Sequence, residues 1–323
     1  MALQFTDMPL EDLRRYAPAL PAPDDLDTFW ASTIGAARRA ATEPATRRSV
    51  DGPVRTVIIE DLVFPGFDGE PVRGWVLRPT DGRPAPAVVE FIGYGGGRGL
   101  PGEKLSWSAA GYVHVIMDTR GQGGGWSLGA TEDAHGAGPA VAGFMTRGIL
   151  DPQEYYYRRV FTDAVRLVDA VAEMPFVDAT RIAVTGASQG GGIALAAAAL
   201  SDRVAAALPD VPFLCDFPRA ITRSPEAPFT EISRFLSVHR DEVETVRRTL
   251  SYFDAAVLAR RITAPTYVSV ALMDEIVLPS TVFAAFHALA ADDRAIEVYE
   301  FNGHEGGGFR HWLRQSAWLG ARF

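Results

Sequence analysis

Apolar and polar positions along the chain fall into two textures. From 54 to 64, Val-Arg-Thr-Val-Ile-Ile-Glu-Asp-Leu-Val-Phe partly alternates, as a half-buried strand does. Pro65-Gly66-Phe67-Asp68-Gly69 turns it into a second strand near 72–78, which predicts a β-hairpin. Short apolar runs then recur at 87–92, 112–117, 182–185, 204–209, 266–272 and 296–301. Several carry apolar residues at successive positions, as strands covered on both faces do. Between most of them the period changes to that of a helix: Tyr157, Val160, Phe161, Ala164, Val165, Val168 and Val171 share one face. An antiparallel entry followed by alternating strand and helix predicts an α/β fold with a mostly parallel, doubly wound sheet.

Three stretches stand outside this alternation. Residues 1–48 read as a helical N-terminal extension, with Asp24 and Asp25 ahead of Leu26, Phe29, Trp30, Ile34 and Ala37 at helical spacing. The glycine-rich segment from about 121 to 153 is too long for a simple crossover and reads as an active-site or interface loop. The segment from about 212 to 262 carries Phe213, Phe217, Phe229, Phe235 and Tyr252 and reads as a cap-like insertion above the strand ends. No repeat or linker divides the chain, so 1–323 is expected to form one domain.

Composition then excludes several classes of function. With 323 residues, 47% of them hydrophobic and 22% charged, the chain has the means for a large core. The net charge is -9, Lys104 is the only lysine, and the arginines are scattered, so neither nucleic acid nor an anionic membrane is an expected partner. Cys215 is the only cysteine, which excludes an internal disulfide and a thiolate zinc cage. No apolar run approaches the roughly 18 residues of a membrane span, and the first residues lack a signal-peptide pattern, so the expected location is cytoplasmic.

The chemistry is concentrated around Gly186-Ala187-Ser188-Gln189-Gly190, which follows the apolar run at 182–185 and precedes helical texture from Ile193. A strand running through G-x-S-x-G into a helix is a nucleophile elbow, and glycine at 186 and 190 avoids side-chain collisions in so tight a turn. Ser188 is the expected nucleophile; the plainer reading is a glycine-rich helix start that a serine caps. A serine hydroxyl needs a histidine base held by a carboxylate, and in this motif both partners follow downstream. His239 and His287 fall in helical texture and His311 beside Trp312, whereas His304 sits in Asn302-Gly303-His304-Glu305-Gly306 directly after an apolar run. His304 is therefore the expected base. Asp274, at the end of the run 266–272, is the expected acid, with Asp210 and Glu275 as rivals and an N-cap or turn as its structural alternative.

Acyl transfer also needs two amide donors for the oxyanion. The expected pair is the amide of Gln189 and that of Tyr94, in the loop Gly93-Tyr94-Gly95-Gly96-Gly97. That loop lacks the G-K-[ST] ending of a phosphate loop, and no motif asks for a metal or a cofactor. Arg120, in Asp118-Thr119-Arg120-Gly121-Gln122-Gly123, reads either as an organiser of the site or as part of a structural salt bridge.

These segments, with those from Gly143 to Pro152, from Tyr155 to Asp163, from Pro65 to Gly69 and from Asp7 to Arg14, resemble the acetyl xylan esterase and cephalosporin C deacetylase family, carbohydrate esterase family 7. The likeness runs over nearly the whole chain. It implies an α/β-hydrolase fold, a hexamer, and metal-free deacetylation of small acetylated sugars and related acetates such as cephalosporin C. By motif position it carries the family's nucleophile to Ser188, its acid to Asp274, its base to His304 and its oxyanion amides to Tyr94 and Gln189. Two positions depart from the family pattern: Ile92 replaces a usual histidine, and Ile276-Val277-Leu278-Pro279 replaces the usual cysteine and proline pattern. The leading expectation is a serine esterase acting through an acetyl-serine intermediate. A serine peptidase of the same fold and a non-enzymatic binding protein are the alternatives.

Overall fold

The computed structural model describes residue 5, residues 7–136 and residues 140–323. Among them, nine strands form one sheet: β1 (Thr46–Ser49), β2 (Val57–Pro65), β3 (Pro71–Pro79), β4 (Ala85–Phe91), β5 (Val113–Met117), β6 (Val177–Ala187), β7 (Ala206–Asp210), β8 (Thr266–Ala271) and β9 (Arg294–Tyr299). Their spatial order is β1-β2-β3-β5-β4-β6-β7-β8-β9. The predicted hairpin is β2–β3, antiparallel with Phe64 opposite Val72. From β5 to β9 every pairing is parallel.

The helices are α1 (Leu10–Leu13), α2 (Leu26–Ala40), α3 (Ser106–Ala109), α4 (Tyr156–Ala172), α5 (Gln189–Leu200), α6 (Phe217–Arg223), α7 (Phe229–Val238), α8 (Val243–Ser251), α9 (Ala255–Leu258), α10 (Pro279–Ala288) and α11 (Gly308–Gly320). Alternate residues of the central strands face opposite layers. Val89, Val184 and Ala207 join a core with Val160 and Phe161 of α4 and Leu195 of α5, while Val88, Ala183 and Leu208 join Trp107 of α3 and Leu319 of α11. None of the helices, among the described residues, is long and apolar enough to cross a membrane.

The N-terminal extension differs from its expectation. The helix α2 does bury Phe29, Trp30 and Ile34, and Trp30 Nε1 donates to the Tyr252 carbonyl at 3.0 Å. Residues 46–49, however, are not helical lead-in but the edge strand β1, antiparallel to β2. All four of its side chains are exposed, so Thr-Arg-Arg-Ser has no apolar alternation to announce it. Backbone pairing with β2 alone makes it a strand.

Residues 212–262 form α6 to α9, with Phe213, Phe217, Phe229 and Ile232 buried. Of the 121–153 segment, 137–139 lie outside the described residues; the remainder is irregular apart from a short 3₁₀ turn at Phe144–Thr146. Strand order reverses between β4 and β6, so their carboxyl ends diverge into the loops that carry Tyr94 and Ser188. Such a switch point is where open α/β sheets bind ligands.

Candidate active site

Ser188 joins β6 to α5 with φ 57° and ψ -120°, a conformation that costs a non-glycine residue energy and that the surroundings must impose. They do so by close packing. A Cβ on Gly186 would lie 2.5 Å from the Gly190 carbonyl carbon, and one on Gly190 would lie 2.1 Å from the Phe91 carbonyl oxygen. Strand β4 and helix α5 therefore approach more closely than any side chain allows. The Ser188 amide donates to the Asp210 carbonyl at 3.0 Å, and the Ser188 carbonyl accepts from Phe213 at 2.9 Å, which pins the turn to the end of β7.

The loops after β8 and β9 bring Asp274 and His304 together. His304 Nδ1 lies 2.8 Å from Asp274 Oδ2. The amides of Ile276 and Val277 donate to Oδ1 of the fully buried Asp274, each at 2.9 Å. With Nδ1 engaged by the carboxylate, Nε2 is the ring nitrogen that this contact leaves available. Ser188 and His304 line one cavity of about 440 Å³, whose walls include Tyr94, Trp126, Pro228 and Ile276. Its lining is largely apolar, and its volume falls in the range of pockets that hold a small organic molecule.

The rival residues are engaged elsewhere. Asp210 Oδ1 accepts from Ser269 Oγ at 3.1 Å and from Gln315 Nε2 at 2.9 Å. His239 stacks on Phe235 with ring centroids 4.2 Å apart, His287 Nδ1 meets the Tyr16 carbonyl at 2.8 Å, and His311 Nδ1 meets the Tyr299 hydroxyl at 3.0 Å. Arg120 belongs to a buried ion network with Asp163, Glu70 and Asp133, so the salt-bridge reading holds for it.

The 93–97 loop is held by residues that sequence reasoning did not select. Trp126 Nε1 donates to the Tyr94 carbonyl at 2.8 Å. The Tyr94 hydroxyl donates to the Glu231 carboxylate, 2.7 Å from Oε1, and accepts from the Phe144 amide at 2.8 Å. Burial and the Glu231 charge together push the Tyr94 phenol well above its ordinary value. Gln122 and Gln189 face each other, Gln122 Nε2 donating to Gln189 Oε1 at 2.9 Å, while the Gly95 amide donates to Gln122 Oε1 at 2.7 Å. Gln189 Nε2 also donates to the Ile92 carbonyl at 3.1 Å, and the Tyr157 hydroxyl donates to Gln189 Oε1 at 2.8 Å. The backbones at Tyr94 and Gln189 are thus linked through two buried amide side chains. Gln122 stood in a recognised turn; Glu231, on α7, had no local signal.

Both departures from the family pattern are at this site. Ile92 and Ile276 line the cavity, and Val277 is one of the amides that hold Asp274. Among the described residues, no three His, Cys, Asp or Glu side chains cluster in a way that could hold a metal ion.

Glu90, at the end of β4, also lines the cavity and pairs with Lys104 through Oε1, while Oε2 lies 2.8 Å from His114 Nε2. Burial alone would raise its pKa; the Lys104 charge and the His114 contact outweigh burial and hold it at about 2, below the ordinary 4.5. A depressed carboxyl contributes stability that is complete above the unfolded value and is lost as pH falls from 4.5 towards 2. The shift corresponds to roughly 3 kcal/mol. Glu90→Gln should flatten the unfolding free energy across that window in urea melts; a slope equal to that of the wild type would refute the assignment.

Residues 3–321 match the acetyl xylan esterase (AXE1) family model. A solved acetyl xylan esterase from Paenibacillus sp. R4 is 39% identical, with a TM-score of 0.90 over 97% of this chain and 99% of that one. Acetyl xylan esterase 1 from Thermoanaerobacterium sp. JW/SL YS485 is 34% identical, with a TM-score of 0.87 over the same shares. A curated relative, the acetyl esterase Axe7A of Xylanibacter ruminicola, is 22% identical over 86% of this chain, which spans 63% of that protein's length. An α/β-hydrolase sheet, a serine elbow at its switch point and a family match over almost every residue lead to one conclusion: the chain belongs to the acetyl xylan esterase family.

Proposed function

We propose that the protein is a serine esterase that removes acetyl groups from small carbohydrates, acetylated xylo-oligosaccharides foremost, and from related acetates such as cephalosporin C. The observation that carries this reading is the 2.8 Å contact between Asp274 and His304, the latter lining the same cavity as Ser188. Ser188 Oγ attacks the ester carbonyl as His304 Nε2 takes its proton, and Asp274 stabilises the imidazolium without accepting that proton. The Tyr94 and Gln189 amides hold the oxyanion. His304 returns the proton to the departing alcohol, leaving acetyl-serine; water, deprotonated by the same imidazole, then releases acetate and restores the hydroxyl. The reading includes a homo-oligomer, a hexamer by family resemblance, in a cytoplasmic setting.

A fluorophosphonate should label Ser188, and p-nitrophenyl acetate should be cleaved much faster than the butyrate, as an acetyl-selective esterase requires. EDTA should leave the rate unchanged. Faster cleavage of a p-nitroanilide than of the acetate would favour the peptidase reading, and loss of activity in EDTA restored by zinc would overturn the metal-free mechanism. No labelling and no turnover would leave a binding protein.

A further inference from the structure

A second cavity, of about 330 Å³, adjoins the catalytic one on the side of the sheet covered by α3 and α11. Glu90, Lys104 and Ala187 line both, so the two spaces meet beside the residue that precedes Ser188. The second space has a different chemistry. One wall is aromatic: the Phe309 and Trp312 rings stack at 4.9 Å and 16°, and Trp107 meets Trp312 nearly edge-on at 5.6 Å. Phe309 is 63% exposed, which leaves an aromatic surface open. The same space is also lined by the polar side chains of Lys104, Glu103 and Gln315.

Two polar atoms there have no partner among the described residues. His114 lines the cavity and is 1% exposed; Glu90 takes its Nε2, but its buried Nδ1 meets nothing. The buried Trp312 Nε1 is equally alone. Unsatisfied buried polar atoms are costly and ask for a reason. A wall of ring faces with hydrogen-bonding groups around it matches a ligand that has apolar C–H faces and a hydroxyl-bearing edge, which describes a pyranose.

We propose that this cavity holds the sugar of the leaving group, with a pyranose ring against Phe309 and Trp312 and its hydroxyls directed to Lys104, Glu103 and Gln315. The proposal rests on the esterase reading of Ser188 and adds the place and chemistry of the alcohol side. The acetyl group stays in the apolar cavity while the ring crosses over Ala187.

The test compares an acetylated xylobiose with ethyl acetate, whose alcohol is too small to reach the aromatic wall. Phe309→Ala should raise KM for the sugar acetate about tenfold, leave kcat within about twofold, and leave ethyl acetate hydrolysis unchanged. Phe309→Tyr should restore the wild-type KM. Independently of any change at the wall, xylobiose should produce a saturable change in tryptophan fluorescence in Ser188→Ala protein. Equal losses on both esters, an unaltered KM for the sugar acetate, or no fluorescence response up to the solubility of xylobiose would overturn the subsite while leaving the esterase intact. A wild-type protein that cleaves neither ester would instead remove the esterase reading, and the subsite with it.

Discussion

Ser188→Ala should fold normally and deacetylate about 10⁴ to 10⁶-fold more slowly, because only oxyanion and binding contributions survive without the nucleophile. His304→Ala should match it within about tenfold, since residues that act as one unit do not lose activity additively. Asp274→Asn should cost less, on the order of 10² to 10⁴-fold. The Asp274 side chain accepts from two backbone amides through Oδ1, and an asparagine must keep its oxygen there. Its NH₂ group then faces His304 Nδ1 and favours the tautomer that carries the proton on Nε2, where a base is needed. Activity should also decline in acid, because imidazolium cannot take the serine proton. Initial rates on p-nitrophenyl acetate and circular dichroism check all three variants. If Asp210→Asn abolishes turnover and Asp274→Asn does not, the acid has been misassigned.

The largest expected effect on stability lies at Arg120. Its guanidinium, 1% exposed, donates to Asp163 from Nε at 2.6 Å and from Nη2 at 2.8 Å. Nη1 pairs with Glu70 and stands 3.7 Å from Asp133, which Arg159 also grips at 3.0 Å. Asp163 further accepts the Phe67 amide at 2.8 Å, so one carboxylate ties α4, the β2–β3 turn and the exit of β5 together. Burial would pull the Arg120 pKa down, but the Asp163 and Glu70 carboxylates outweigh it and hold the guanidinium charged. Asp163→Ala removes the two-point partner of that buried charge, leaving Glu70 and Asp133 on Nη1 alone, and should destabilise the protein by about 3 to 5 kcal/mol. Arg120→Met combined with Asp163→Leu should lose less than Asp163→Ala alone, because the double change also removes the cost of burying the charges. Urea midpoints measure both. A change below about 1 kcal/mol for Asp163→Ala would show that solvent reaches the network and screens it.

Much of the architecture was legible in one dimension because its causes are local. Alternation at 54–64 and the Pro65 to Gly69 turn mark the β2–β3 hairpin, and continuous apolar runs mark strands buried on both faces. Ser188, Asp274 and His304 stand out for a related reason: each follows an apolar run, and parallel strands deliver all such loops to one edge of the sheet. The exposed strand β1 carries no such pattern, since its existence depends on the neighbouring backbone of β2 rather than on its own side chains.

Which polar groups meet was a matter for the tertiary structure. Arg120 admitted two readings until Asp163 and Glu70 came to it from α4 and from the hairpin turn. Glu231 is distant in sequence from the Tyr94 hydroxyl it receives, and the Gln122–Gln189 pair joins the loop after β5 to the first turn of α5. Hydrogen bonds of this kind have no period and no fixed spacing. Most strands, helices and tight turns follow from short-range sterics and from the side on which apolar residues recur; packing decides which loops meet, because only closure of the sheet brings their ends within the few ångströms over which a hydrogen bond acts.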